Sequence, residues 1–145
     1  MKRLHLLLIC GIFLFTTNLF AQQSFQSKDQ TKQLSDRFMT AIVALDVQGG
    51  FKILKPYFRT ASEEDFAKLQ VQTINQLDAY AERFGFPVGS EMVKEETISD
   101  FLIRYTYIEK YAANILRWTF TFYKPKDQWI FQSLAWDENI QAVFD

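Results

Sequence analysis

The sequence is poor in the side chains that most often carry catalysis or bind metals: it holds one His and one Cys. Both, His5 and Cys10, fall in the opening stretch MKRLHLLLICGIFLFTTNLFAQQ. Lys2 and Arg3 make a basic start, Leu6 to Phe15 an apolar core, and Thr16 to Ala21 a more polar end, which is the build of a secretory signal cut after Ala21. Thr16, Thr17 and Asn18 interrupt the apolar run before it reaches the roughly 20 residues of a spanning helix. Cys10 sits inside the apolar run behind Leu8 and Ile9, where a lipoprotein cleavage site needs a small residue, so it reads as an ordinary small hydrophobe.

Removal of residues 1–21 takes both His5 and Cys10 away. A chain without them has no Ser-His-Asp triad, no Cys-His nucleophile, no zinc or copper site built on imidazole or thiolate, and no disulfide. Acid–base chemistry would fall to Asp, Glu, Lys or Tyr. No cofactor and no metal site is expected.

Charge of one sign is also lacking. The chain has 16 basic and 17 acidic residues, and loss of Lys2 and Arg3 lowers the formal net charge of −1 by two units. No basic stripe is present, which argues against a nucleic-acid partner. The acidic runs, Glu63-Glu64-Asp65 and Glu95-Glu96, are short and read as solvated faces. The roughly 120 residues left after cleavage suit one domain with a real core.

Residues 22–30, QQSFQSKDQ, are polar and aperiodic and read as a flexible lead-in to a single domain at 31–145. Leu34, Phe38, Ala41, Ile42 and Leu45 then form a helical stripe, with Gly49-Gly50 as its stop. The short piece FKILKPYF ends at Pro56. Ser62 before three acids marks a new helix start, and Phe66, Leu69, Thr73, Leu77, Tyr80 and Phe84 carry its stripe to Gly85. FPVG at 86–89 separates this half from the next.

Beyond Gly89 there is no further glycine, and the period changes to two. Residues 91–99 predict a charged edge strand. Residues 101–110, 115–123 and 128–136 predict stronger strands, rich in β-branched and aromatic types. Helices followed by a meander predict an α+β domain, with N-terminal helices on a mainly antiparallel sheet of about four strands.

All three Trp lie in the last part, ILRWTFTFYKPKDQWIFQSLAWDENI. Turns at Ala112-Ala113 and Pro125-Lys126 predict the rows Ile103-Phe122-Trp129, Tyr105-Phe120-Phe131 and Tyr107-Trp118-Ser133, followed by Glu109-Leu116-Ala135. Most of that face is core. Tyr105, Tyr107, Trp118 and Trp129 have polar tips that need partners, Ser133 and Ala135 are small, and Glu109 points the same way. Together these six residues, Tyr105, Tyr107, Glu109, Trp118, Trp129 and Ser133, form a candidate ligand site. The opposite face, with Arg104, Thr119, Thr121, Gln132 and Trp136, is a candidate interface for a homodimer or an envelope protein partner.

This order of elements, ending in LRWTFTFYKPKDQWIFQSLAWDENI, resembles the NTF2-like (cystatin-like) α+β cone found in small exported bacterial proteins. The resemblance implies a curved sheet around a cavity and a periplasmic or secreted protein. Members of that fold include isomerases and dehydratases, ligand-binding domains and interaction modules, so it does not choose among functions. No Tyr-Asp or His-Asp set matches here, and no catalytic residue is carried over. With no glycine after Gly89, curvature has to come from bulges. Three readings stay open: a non-enzymatic domain binding a small apolar or amphipathic ligand or a protein partner, an isomerase or lyase using Glu109 as base with a tyrosine hydroxyl as oxyanion donor, and an envelope interaction or immunity-type protein.

Overall fold

The computed structural model describes residues 23–58 and 62–145. The signal-like stretch, with His5 and Cys10, lies outside the described residues. Helices α1 (Lys28–Val43), α2 (Val47–Leu54) and α3 (Glu63–Phe84) come first. The strands β1 (Pro87–Ile98), β2 (Leu102–Tyr111), β3 (Ile115–Tyr123) and β4 (Ile130–Asp137) follow. They pair in sequence order, all antiparallel, into one open curved sheet with β1 and β4 at its edges. This is the α+β arrangement expected from the sequence. Among the described residues no helix is long and apolar enough to cross a membrane.

Local chemistry explains each boundary. The Ser27 hydroxyl accepts from the Gln30 amide and starts α1 three residues before the expected Thr31. Ser62 does the same for α3 through the Asp65 amide at 3.1 Å. Gly49-Gly50 does not stop α1. That helix ends at Val43, the chain turns at Leu45 with φ of 61°, and the Asp46 carboxylate caps α2 by accepting from the Gly49 amide at 2.8 Å. A Cβ at Gly49 would collide with that carboxylate, so the glycine permits the cap rather than breaking a helix. Pro87-Val88-Gly89 likewise opens β1, where an edge position leaves the proline without a lost ladder bond.

The lead-in is anchored, contrary to its polar composition. Phe25 is buried and exchanges two backbone hydrogen bonds of 2.8 Å with Trp129, while its ring stacks on Tyr57 at 4.5 Å. One large apolar side chain in a polar run is enough to dock it.

The core lies between the helices and one face of the sheet. Phe38 of α1 meets Trp118, Phe120 and Phe51 edge-on at 5.5–5.7 Å, and Phe51 in turn meets Phe66 of α3 at 5.7 Å. The β2–β3 register is the expected one: Ile103 opposite Phe122, Tyr105 opposite Phe120, Tyr107 opposite Trp118 and Glu109 opposite Leu116.

The β3–β4 register differs. Phe122 faces Phe131, Phe120 faces Leu134 and Trp118 faces Trp136, with an irregularity between Thr121 and Phe122. Trp129 is engaged by Phe25, so β4 begins after it, and Gln132 is the extra residue of a bulge. The bulge reverses the facing of everything beyond it. Ser133 is therefore opposite Thr121 on the outer face, Ala135 is opposite Thr119, and Trp136 turns inward. Further register shifts occur in β1–β2 between Pro87 and Gly89 and between Met92 and Lys94, and the second lets the strands curve without glycine.

Candidate functional site

The expected ligand site separates into a closed core and one open corner. Tyr105, Tyr107, Trp118 and Trp129 are all buried, and Ser133 is exposed on the other face of the sheet. The tyrosine hydroxyls are satisfied inside the fold. Tyr105 donates to the Lys28 carbonyl at 3.1 Å and shares a 3.0 Å hydrogen bond with Thr31. Tyr107 donates to Asp36 at 2.7 Å. Burial pushes both hydroxyls up from their ordinary value, and for Tyr107 the Asp36 acceptor adds to that effect.

Glu109 is different. It is 0% exposed, on β2, at the floor of a cleft of about 310 Å³. The alternation of β2 turns Glu109 inward and Lys110 outward, where Lys110 pairs with Glu91 at 3.7 Å. The cleft walls are Ile42 from α1, Leu45 and Val47 from the α1–α2 turn and the start of α2, and Leu77 and Ala81 from α3. Phe86, 69% exposed, stands at the mouth, as do Asp78 and Glu82. The cleft exists because three elements end or turn here, leaving the end of the sheet only partly covered.

The carboxylate has one firm partner. Trp118 Nε1 donates to Glu109 Oε2 at 2.8 Å, while Oε1 has no hydrogen-bond partner. The Tyr111 hydroxyl is near enough for each group to affect the other's ionisation, without a bond of ordinary geometry to Oε1. Burial holds the Glu109 carboxyl above its ordinary value of 4.5, with Trp118 and Tyr111 pulling the other way. Burial, then Glu109, raises Tyr111, so that hydroxyl stays protonated and able to donate. Neighbouring Tyr80 is pushed up to about 12, chiefly by burial, and donates to the Ile115 carbonyl at 2.7 Å.

Of the six residues expected at the ligand site, then, Glu109 lines the cleft and Trp118 stands behind it as the donor that fixes its carboxylate. Ile42, Leu45, Val47, Leu77, Asp78, Ala81, Glu82, Phe86 and Tyr111 also belong to the cleft, and sequence pattern alone does not assign them to it. The Leu77-Ala81 and Asp78-Glu82 spacings do put both pairs on adjoining faces of one helix, a signal that was present in the sequence. Their meeting with Glu109 was not.

The expected interface is also divided. Arg104 and Gln132 are exposed, and Thr119 and Thr121 are half-buried. Trp136 leaves that face: its ring lies 5.7 Å from Trp118, on the core side. Arg117 occupies the outer face, held to Asp137 by two hydrogen bonds of 3.0 and 2.6 Å. Among the described residues no group of three or more His, Cys, Asp or Glu could hold a metal ion.

Comparisons of the chain with protein-family models, curated proteins and solved structures find no match.

Proposed function

We propose that this protein is an exported, non-enzymatic domain of the NTF2-like type that binds a small apolar or amphipathic molecule in the Glu109 cleft. The observation carrying this reading is a fully buried carboxyl with one unsatisfied oxygen at the floor of an apolar-walled cleft of about 310 Å³. An unsatisfied buried acceptor costs roughly 1–3 kcal/mol, which a ligand donor would recover. A concave, mostly apolar site with a few convergent polar groups is the usual form of a small-molecule pocket. The NTF2-like assignment is supported by the order of helix, short helix, long helix and curved antiparallel meander.

The test is NMR shift mapping with a library of small neutral and charged fragments. Binding in the cleft perturbs Ile42, Leu77, Ala81 and Tyr111 together, and Ala81→Phe, which fills the cleft, abolishes the response. Perturbations confined to other surfaces would overturn the assignment.

A second reading is favoured by the same carboxyl. A Glu with a raised pKa beside a protonated tyrosine is the equipment of a carbon-acid isomerase or lyase, Glu109 abstracting a proton and Tyr111 donating to the developing oxyanion. Deuterium exchange into an enolisable ketone, lost in Glu109→Gln and in Tyr111→Phe, would favour it over simple binding. No exchange above the background rate would leave binding alone.

A further inference from the structure

The polar side chains around the cleft share one sign. Glu109 lies at its floor, Asp78 and Glu82 at its mouth, and Tyr111 contributes a hydroxyl, whereas no Lys or Arg lines it. The nearest basic residues in sequence are directed elsewhere. Arg83, beside Glu82, lies over the Phe84 ring with its guanidinium carbon 4.7 Å from the centroid. Lys110, beside Glu109, is on the outer face with Glu91. Among the described residues Glu109 has no ion-pair partner, and its Oε1 is buried without a donor.

Building on the cleft as a small-molecule site, we infer that its ligand is a small organic cation: an ammonium group on an apolar body, the ammonium placed on Glu109 Oε1 and the body against Ile42, Val47 and Leu77. A buried carboxylate without a countercharge is strongly penalised, and an ammonium supplies both the missing charge and the missing donor. Asp78 and Glu82, one turn apart on α3, add a negative potential at the mouth that draws cations in and repels anions. An inorganic cation does not suit the site. Hard metal ions take six or more oxygen ligands or a hydration shell, and no described group of carboxylates converges to provide them. Leu45, Leu77 and the other apolar walls call instead for hydrocarbon.

Three probes of matched shape test this: cyclohexylmethylammonium, cyclohexylmethanol and cyclohexanecarboxylate, titrated into the purified protein by calorimetry with NMR shift mapping. The ammonium is expected to bind in the cleft at least about tenfold more tightly than the alcohol, the scale of one hydrogen bond to a charged group, and the carboxylate to bind not at all. Glu109→Gln should bring ammonium and alcohol within about twofold of each other, because the amide keeps the shape and loses the charge. Asp78→Asn with Glu82→Gln, at exposed positions where folding is undisturbed, should weaken the ammonium a few-fold and more at low salt than at high.

Equal binding of alcohol and ammonium, or binding of the carboxylate, would overturn the cation inference while leaving the cleft as a ligand site. No cleft perturbation by any of the three at millimolar concentration would overturn both.

Discussion

The indole of Trp118 donates to Glu109 Oε2 at 2.8 Å, and this one bond joins the aromatic core to the only carboxylate found fully buried among the described residues. Trp118 is itself 0% exposed and packs on Phe38 and Trp136. The core thus fixes one carboxylate oxygen and leaves the other without a hydrogen-bond partner.

Trp118→Phe should therefore act on both. It removes ring volume and strips the donor from Oε2, so urea denaturation should show a loss of about 2–4 kcal/mol, combining a partial cavity with an unsatisfied buried acceptor. The Trp118 bond lowers the Glu109 pKa, so an NMR titration of the variant should find that pKa higher than in the parent. An unchanged titration would mean that the bond does not exist in solution.

The pH dependence of Glu109 has a definite sign. Its folded pKa lies above its unfolded value, so the folded state holds the proton more tightly and stability falls as pH rises from about the ordinary 4.5 toward the folded value. Glu109→Gln removes that loss. The variant should match the parent at pH 4 and exceed it at pH 8, by an amount on the order of 1–3 kcal/mol, the scale of an unsatisfied buried group.

Asp137 runs the other way. Its hydrogen bonds with Arg117 hold its carboxyl below the ordinary 3.8, so this contribution is complete above that value and is lost as pH falls through the folded pKa. Arg117→Leu should flatten the acid limb of the stability curve and leave the limb above pH 5 unchanged, as read by thermal melts across pH. The side chain of Asp137 is 42% exposed, so the effect should shrink in high salt.

Phe25→Ala tests the anchored lead-in. Loss of a ring packed on Tyr57 and Phe122 should cost about 3–5 kcal/mol. Hydrogen exchange should accelerate at the Trp129 amide, which donates to Phe25. Exchange at Trp118 and Phe120, in the middle of the sheet, should follow global stability alone.

Tyr107→Phe is the contrasting case. It deletes a 2.7 Å bond to Asp36 on a residue that does not line the cleft. Stability should fall by about 0.5–1.5 kcal/mol, and fragment affinity in the cleft should be unchanged.

By itself the sequence determined the α+β class, the Ser62 cap of α3, the charged edge strand β1 and the β2–β3 register, because hydrophobic period and capping chemistry are local signals. It also put Glu109 on the inward face beside Trp118, since both follow from one short turn between adjacent strands. Tertiary structure decided the rest. The docking of Phe25 on Trp129 and the bulge at Gln132 set where β4 begins and which way Ser133 and Trp136 face, and neither leaves a mark in strand alternation. The cleft was decided there too: Leu45, Leu77, Asp78, Glu82 and Glu109 come from separate elements, and their convergence depends on how α1, α2 and α3 cover one end of the sheet. Periodicity states which face of an element is buried, whereas the place where burial is left incomplete is fixed by packing between elements.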